Sequence, residues 1–281
     1  MTGSLLVGSA LLASRSFALG AEDLRGALES LEQKHGGRLG VAILDTAHGK
    51  PFAYRGDERF PMCSTFKWLA AAYVLARADR GAESLSRRLT YAKSDLVTYS
   101  PVTEKHVGDG MTVDAICDAA VTLSDNTAGN LLLDSFGGPA GLTAFARALG
   151  DKVTRLDRRE PELNECTPDD PRDTTSPMAM AQTMQKVLAG PALSNASREK
   201  MIAWLVATKT GDKRLRAGVP KDWKIGDKTG TGGHNATNDV AVIWPPGRAP
   251  IMVTAYYVES RASEEERNAV IAEVGRLAAS I

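Results

Sequence analysis

Ser64-Thr65-Phe66-Lys67 sets a hydroxyl and an amine three residues apart. On a helix that spacing brings both to one face, within mutual reach. Residues 68–76, which follow, carry no charge, so the helix is apolar all round and is expected to be buried. A lysine drawn into such an interior loses affinity for its proton and can act as a base toward the hydroxyl. Ser64 falls at the helix N-terminus, where free N–H groups and the dipole favour negative charge. The plain alternative is that Ser64 only caps the helix and Lys67 reaches for solvent. The same spacing recurs at Ser197 and Lys200, where an N-cap for a helix over residues 198–207 is a sufficient reading.

Two more short motifs carry polar groups that could converge. Ser124-Asp125-Asn126 lies between helical patterns at residues 113–121 and 127–133. A turn there can aim Ser and Asn into a cleft, although alone it reads as a capped turn. Lys228-Thr229-Gly230-Thr231-Gly232-Gly233 leads into a strand-like run at residues 239–244, and its small residues would let a substrate approach a strand backbone. The tripeptide repeats at Lys209-Thr210-Gly211, read here as a helix end with Gly211 as its cap.

The elements that must position these residues follow from periodicity. Leu24, Ala27, Leu28 and Leu31 mark one face of a helix over residues 22–34. Runs at residues 39–44 and 51–54 flank a turn and read as a hairpin. Residues 65–207 are mostly helical patterns and polar loops. Strand-like runs return at residues 239–244 and 251–258, joined at Pro245-Pro246-Gly247, and a helix over residues 262–279 closes the chain. The expected fold class is α+β. Residues 21–60 and 208–281 would form an antiparallel sheet flanked by the terminal helices, and residues 61–207 an all-α domain, with the site at the junction.

Composition removes several function classes. The 281 residues hold 34 Lys plus Arg against 34 Asp plus Glu, so no field draws the chain to nucleic acid. Three cysteines without C-x-x-C spacing permit at most one disulfide and exclude a cysteine-based zinc site. The four histidines show no H-E-x-x-H pairing, so a zinc hydrolase would have to assemble its ligands from scattered positions. The apolar run at residues 5–12, followed by Ala18-Leu19-Gly20, resembles a secretory signal peptide within residues 1–20. No later stretch has 18 consecutive uncharged apolar residues, so no membrane association is expected after its removal.

Taken in order, Ser-x-x-Lys, Ser-Asp-Asn and Lys-Thr-Gly resemble the signature of the class A serine β-lactamases. The resemblance runs from about Glu22 to the C-terminus and includes Tyr99-Ser100-Pro101-Val102-Thr103-Glu104-Lys105 and Gly218-Val219-Pro220. Arg158-Arg159-Glu160-Pro161-Glu162-Leu163-Asn164-Glu165 looks like that family's Ω-loop, here residues 158–173. The resemblance implies that Ser64 attacks the lactam carbonyl while the N–H groups of Ser64 and Thr231 form the oxyanion hole. Ser124 would return a proton to the leaving nitrogen. Glu160, with Asn164, would activate a water for deacylation, and the acylation base would be Lys67 or Glu160. Tyr99, Asn126, Lys228, Thr229, Gly230 and Thr231 would contact substrate. Arg214, four residues before Gly218, is expected to meet its carboxylate, whereas Arg216 should be dispensable. Arg158 and Asp173 resemble a loop-closing ion pair.

Some positions depart from the family pattern. Arg159 stands where many relatives carry Trp, so the packing of the loop's first turn is expected to differ. Cys117 faces Ala71 where some relatives have a second cysteine. Cys63 precedes the nucleophile as in some carbapenem-hydrolysing relatives, but Gly232 replaces the cysteine that bridges to it there. The implied protein is a secreted, periplasmic monomer acting on penicillins and cephalosporins, with no metal or organic cofactor. A D-alanyl-D-alanine peptidase and a non-catalytic β-lactam sensor are the rival readings.

Overall fold

The computed structural model describes residues 20–47 and 51–281. Apart from Gly20, the expected signal peptide lies outside the described residues. Helix α1 (Ala21–His35) turns Leu24 and Leu28 inward. Strands β1 (Arg38–Asp45) and β2 (Phe52–Tyr54) form the expected hairpin, with Val41 opposite Tyr54. After the short β3 (Phe60–Pro61), a single 3-10 turn at Cys63–Thr65 runs into α2 (Phe66–Ala78). Strands β4 (Arg88–Leu89) and β5 (Met111–Thr112) pair with each other before α3 (Val113–Thr122), α4 (Asn126–Ser135) and α5 (Gly138–Ala148). Strand β6 (Thr174–Thr175) pairs with β3 and precedes α6 (Pro177–Leu188), α7 (Asn195–Val206) and the short α8 (Leu215–Gly218). The chain ends with β7 (Lys224–Thr231), β8 (Thr237–Trp244), β9 (Ile251–Val258) and α9 (Glu264–Ala278).

The large sheet has the order β2-β1-β9-β8-β7, antiparallel throughout, so the α+β architecture is the one expected. Both faces of the sheet are buried, and strand alternation divides the work. Leu39, Val41 and Ile43 of β1, with Ile243 and Val253, pack against Leu28 of α1 and Ile271 and Val274 of α9. Ala42 and Leu44, with Val242, Met252 and Tyr256, join the core built around α2. Helix α9 starts on a capping box, Ser263 with Glu266, which satisfies two otherwise orphaned N–H groups.

Helix α2 is the hub. Ten of its thirteen residues are buried, including Trp68, Leu69 and Leu75, because it is enclosed by other helices and by the turn below β7. Each large apolar side chain buried here contributes about 1.5–3 kcal/mol. Truncating Leu69 to alanine would cost about 2–5 kcal/mol. Burial on every side is what forces Lys67 into a dry environment.

Three local expectations are corrected. Lys228-Thr229-Gly230 does lead into a strand, β8, but is not a loop before it: it lies on a strand of its own, β7, with Lys228 opposite Val240. The sequence of β7, KIGDKTGT, hides this because charges and glycines replace the usual alternation. Gly226 is needed for close approach, since an added Cβ would stand 2.9 Å from Leu205 Cβ on α7. Ser197 is not the cap of α7. Ser194 is, and the helix begins three residues earlier than expected, while Ser197 Oγ donates to Asp79 Oδ1 at 2.7 Å. Gly211 is not a helix cap either, because α7 has already ended at Val206. An added Cβ there would come within 1.9 Å of Asp227 Oδ2, so packing explains that glycine.

Candidate active site

The turn at Cys63–Thr65 delivers Ser64 to the floor of a cleft between the sheet edge and the helices. Lys67 Nζ, one turn later and fully buried, donates to Ser64 Oγ at 2.9 Å. The same ammonium reaches Ser124 O at 2.9 Å, Asn126 Oδ1 at 2.5 Å and Glu160 Oε1 at 2.9 Å. Ser64 Oγ in turn donates to Glu160 Oε1 at 3.1 Å. One hydroxyl, one amine and one carboxylate therefore share a single buried network. Burial pulls the pKa of Lys67 below its ordinary value, and the Glu160 charge opposes that fall.

Ser124 arrives on a residue in the left-handed region, φ 59°. Asp125 holds it there: it caps α4 through Ala128 N at 2.8 Å and accepts from Val102 N and Thr103 N. Lys228 Nζ, fully buried on β7, lies 3.0 Å from Ser124 Oγ. Burial, then repulsion from Lys67, brings its pKa down to about 7. Strand β7 is the sheet edge, and Gly230 lets it press on the turn bearing Ser64, because a Cβ there would stand 2.7 Å from Met62 O. The cleft so formed is about 300 Å³ and is lined by Ser64, Ser124, Asn164, Arg214, Thr229 and Thr231 among others, large enough for a small molecule.

Comparison with known proteins agrees with this geometry. Residues 23–281 match the family described as Beta-lactamase enzyme family. The chain is 47% identical to β-lactamase CTX-M-8 of Citrobacter amalonaticus over 274 residues, which is 98% of this chain and 92% of that protein. It is 50% identical to β-lactamase L2 of Stenotrophomonas maltophilia over 250 residues, covering 89% of this chain and 82% of the other. The solved structure of an ancestral (GNCA) class A β-lactamase matches with a TM-score of 0.90 at 70% identity, covering 90% of this chain and 98% of that one. This chain belongs to the class A β-lactamases. It is a serine hydrolase that opens β-lactams and confers resistance to them.

Glu160 of this β-lactamase sits on the segment that resembles an Ω-loop. Its backbone N–H donates to Asn130 Oδ1 at 3.0 Å and its carbonyl accepts from Asn130 Nδ2 at 2.9 Å. Asn164 Nδ2 donates to Glu160 Oε2 at 2.5 Å, while the buried Asn164 Oδ1 has no protein partner among the described residues. Asp173 Oδ1 accepts from Asp157 N and Arg158 N, and Oδ2 from Arg158 Nε at 2.6 Å. The loop's first turn is fastened on its outer side by an ion pair between Arg159 and Asp134 of α4.

Arg214 is buried beside the cleft. Its guanidinium donates to Gly230 O, Asn238 O, Asn268 Oδ1 and Thr231 Oγ1. Burial lowers its pKa, against the pull of Asp239. Tyr99 stands at the mouth, 55% exposed, its carbonyl accepting from Asn126 N. Arg216, expected to be dispensable for kcat/KM, pairs with the fully buried Asp227 of β7. Burial lifts the Asp227 pKa despite that partner.

Sequence reasoning missed Asn130 and Thr210. Asn130 bears the signal of a polar residue at a core position of a helix. Thr210 lines the cleft and shares a 2.6 Å hydrogen bond with Thr229 Oγ1, so the second Lys-Thr-Gly is part of the site's wall and not a mere coincidence of spelling.

Proposed function

We propose that this enzyme opens penicillins and cephalosporins in two displacements on Ser64. Ser64 Oγ bonds to the lactam carbonyl carbon, the C–N bond breaks, and the nitrogen leaves with a proton supplied through Ser124. Water then attacks the ester, releasing the ring-opened carboxylate and restoring the hydroxyl. The observation that carries this reading is Glu160 Oε1 at 3.1 Å from Ser64 Oγ, on a loop fixed to Asn130. A carboxylate so placed can take the proton from an attacking water. The unpartnered Asn164 Oδ1 is an acceptor ready for that water's other hydrogen.

Lys67 joins both groups, so the proton leaving Ser64 can reach Glu160 through the amine or along the direct hydrogen bond. Lys228 beside Ser124 Oγ supports the relay to nitrogen, and the N–H groups of Ser64 and Thr231 are our oxyanion hole. Lys228, Thr229, Thr231 and Arg214 form a cationic, hydroxyl-rich wall suited to the substrate carboxylate. Asn126, Gly230 and Tyr99 complete the substrate contacts. A D-alanyl-D-alanine peptidase keeps its acyl group on meeting a β-lactam, and the Glu160–Asn164 pair beside the nucleophile weighs against that reading. We also propose export to the periplasm under the apolar leader at residues 5–12, and action there as a monomer.

The test is to mix Glu160→Ala with benzylpenicillin and weigh the intact protein. A persistent penicilloyl adduct on Ser64, with hydrolysis nearly abolished, is expected, and Ser64→Ala should neither turn over nor form the adduct. Wild-type turnover by Glu160→Ala, or an adduct mapped to Ser197, would overturn the assignment.

A further inference from the structure

Cys63 immediately precedes the nucleophile, and Cys166 lies two residues beyond Asn164 on the loop that carries Glu160. They are 103 residues apart in sequence, yet their Sγ atoms stand 3.4 Å from each other. Both backbones are held in the left-handed region, φ 46° at Cys63 and 56° at Cys166, a conformation that costs energy in a residue bearing a Cβ and persists only when its surroundings impose it. Gly232 caps the pair from the sheet side. A Cβ there would fall 2.7 Å from Cys166 Sγ and 2.8 Å from Cys63 Sγ, so the glycine leaves the two sulfurs room to meet.

We propose that Cys63 and Cys166 form a redox site that closes to a disulfide and ties the Ω-loop to the turn bearing Ser64. The sulfurs must approach by about 1.4 Å to reach bonding distance of about 2.0 Å. Access is one-sided. Cys63 is fully buried, whereas Cys166 lines a separate cavity of about 600 Å³ whose walls also hold Arg38, Arg59, Arg158 and Arg172. The same walls carry Glu58, Asp169, Asp170 and Glu259, so the lining selects no charge, and oxidised glutathione serves as the small disulfide oxidant.

In the first step the Cys166 thiolate attacks one glutathione sulfur, the glutathione S–S bond breaks, and one glutathione thiol leaves after taking up a proton. In the second, the Cys63 thiolate attacks Cys166 Sγ of the mixed disulfide and expels the second glutathione as a thiol. The protein dithiol loses two electrons and two protons, and glutathione disulfide gains both. Contact with Cys166, and then burial, push the Cys63 thiol pKa up, which leaves the opening attack to Cys166. The third cysteine, Cys117, is buried on α3 and serves as an internal control.

The reduced full-length protein is treated with oxidised glutathione and digested with trypsin without reduction. One linked species joining residues 60–67 and 160–172 is expected, with two of the three thiols lost when counted in denaturant. Oxidation should raise Tm and slow amide exchange over residues 158–173, because the link removes freedom from the unfolded chain and fastens the loop. Dithiothreitol should reverse both changes, and Cys166→Ser and Cys166→Ala should show neither while still hydrolysing β-lactams. A glutathione adduct that persists on Cys166, three free thiols after treatment, or a linked species with unchanged Tm and unchanged loop exchange would overturn the proposal. Peptide mapping reads no β-lactam turnover, so failure here is distinct from failure of the proposed mechanism.

Discussion

Replacing Asp173 with asparagine tests whether charge holds the loop that carries Glu160. The Asp173 side chain is 1% exposed and accepts three hydrogen bonds, two from backbone N–H groups and one from Arg158 Nε. Breaking a buried ion pair by removing one partner costs about 3–5 kcal/mol. Two features reduce that figure. The Arg158 side chain keeps 15% exposure and a second partner in Glu165, and an asparagine oxygen can still accept from the two backbone groups. About 2–3 kcal/mol remains, equivalent to a fall in Tm of about 4–12 °C for a chain of this size. Because Glu160 is carried by the same loop, deacylation should slow more than acylation, so kcat and KM fall together and acyl-enzyme accumulates. Calorimetry reads the first effect, and stopped-flow burst amplitude with benzylpenicillin reads the second. An Asp173→Asn enzyme with unaltered Tm and unaltered kinetics on benzylpenicillin and on a large cephalosporin would refute the reasoning.

Other outcomes follow from the same network. Arg214→Ala should lower kcat/KM for penicillins roughly ten- to a hundredfold, the equivalent of about 1.5–3 kcal/mol for a hydrogen bond to a charged group; equal kinetics with and without the guanidinium would leave Lys228 and the threonines as the anion site. Arg216→Ala should leave kcat/KM of the folded enzyme unchanged but lower Tm by on the order of 10 °C, because Asp227 is fully buried and loses its counter-ion; a melt matching wild type would dispose of this. Lys228, with a pKa near 7, is charged below that pH and neutral above it. Its attraction for a substrate carboxylate is therefore complete in acid and lost as pH rises, so kcat/KM should decline on the alkaline side of about pH 7. Lys228→Arg should move that limb upward, and a wild-type profile flat to pH 9 would argue against it.

How much of this was legible in the sequence depended on whether the geometry is local. Ser64 and Lys67 are brought together by helical spacing alone, and the apolar run after them announced the burial. The hairpin of β1 and β2 and the terminal helices α1 and α9 carry plain periodicities, so they were readable too. Strand β7 was not. Its Asp227 and Lys228 are both buried; Ser124 lies 104 residues before Lys228, and although Arg216 stands only 11 residues before Asp227, no helical or strand period pairs the two. The structural partner of Arg216 was hidden for the same reason, since its counter-ion sits on the strand that was missed.

The two Ser-x-x-Lys motifs show where spacing stops being informative. Ser64–Lys67 and Ser197–Lys200 have identical spacing, and both lysines find acidic partners. The Lys67 side chain is sealed against Glu160, whereas the Lys200 side chain is 39% exposed and pairs with Asp114 at the surface. Water screens the second pair, and Ser197 bonds Asp79 and not Lys200. For the first pair, the packing of α2 removes the water, and the amine must settle its charge with Ser64, Ser124, Asn126 and Glu160. The chemistry therefore belongs to the apolar residues around the motif as much as to the serine and lysine within it.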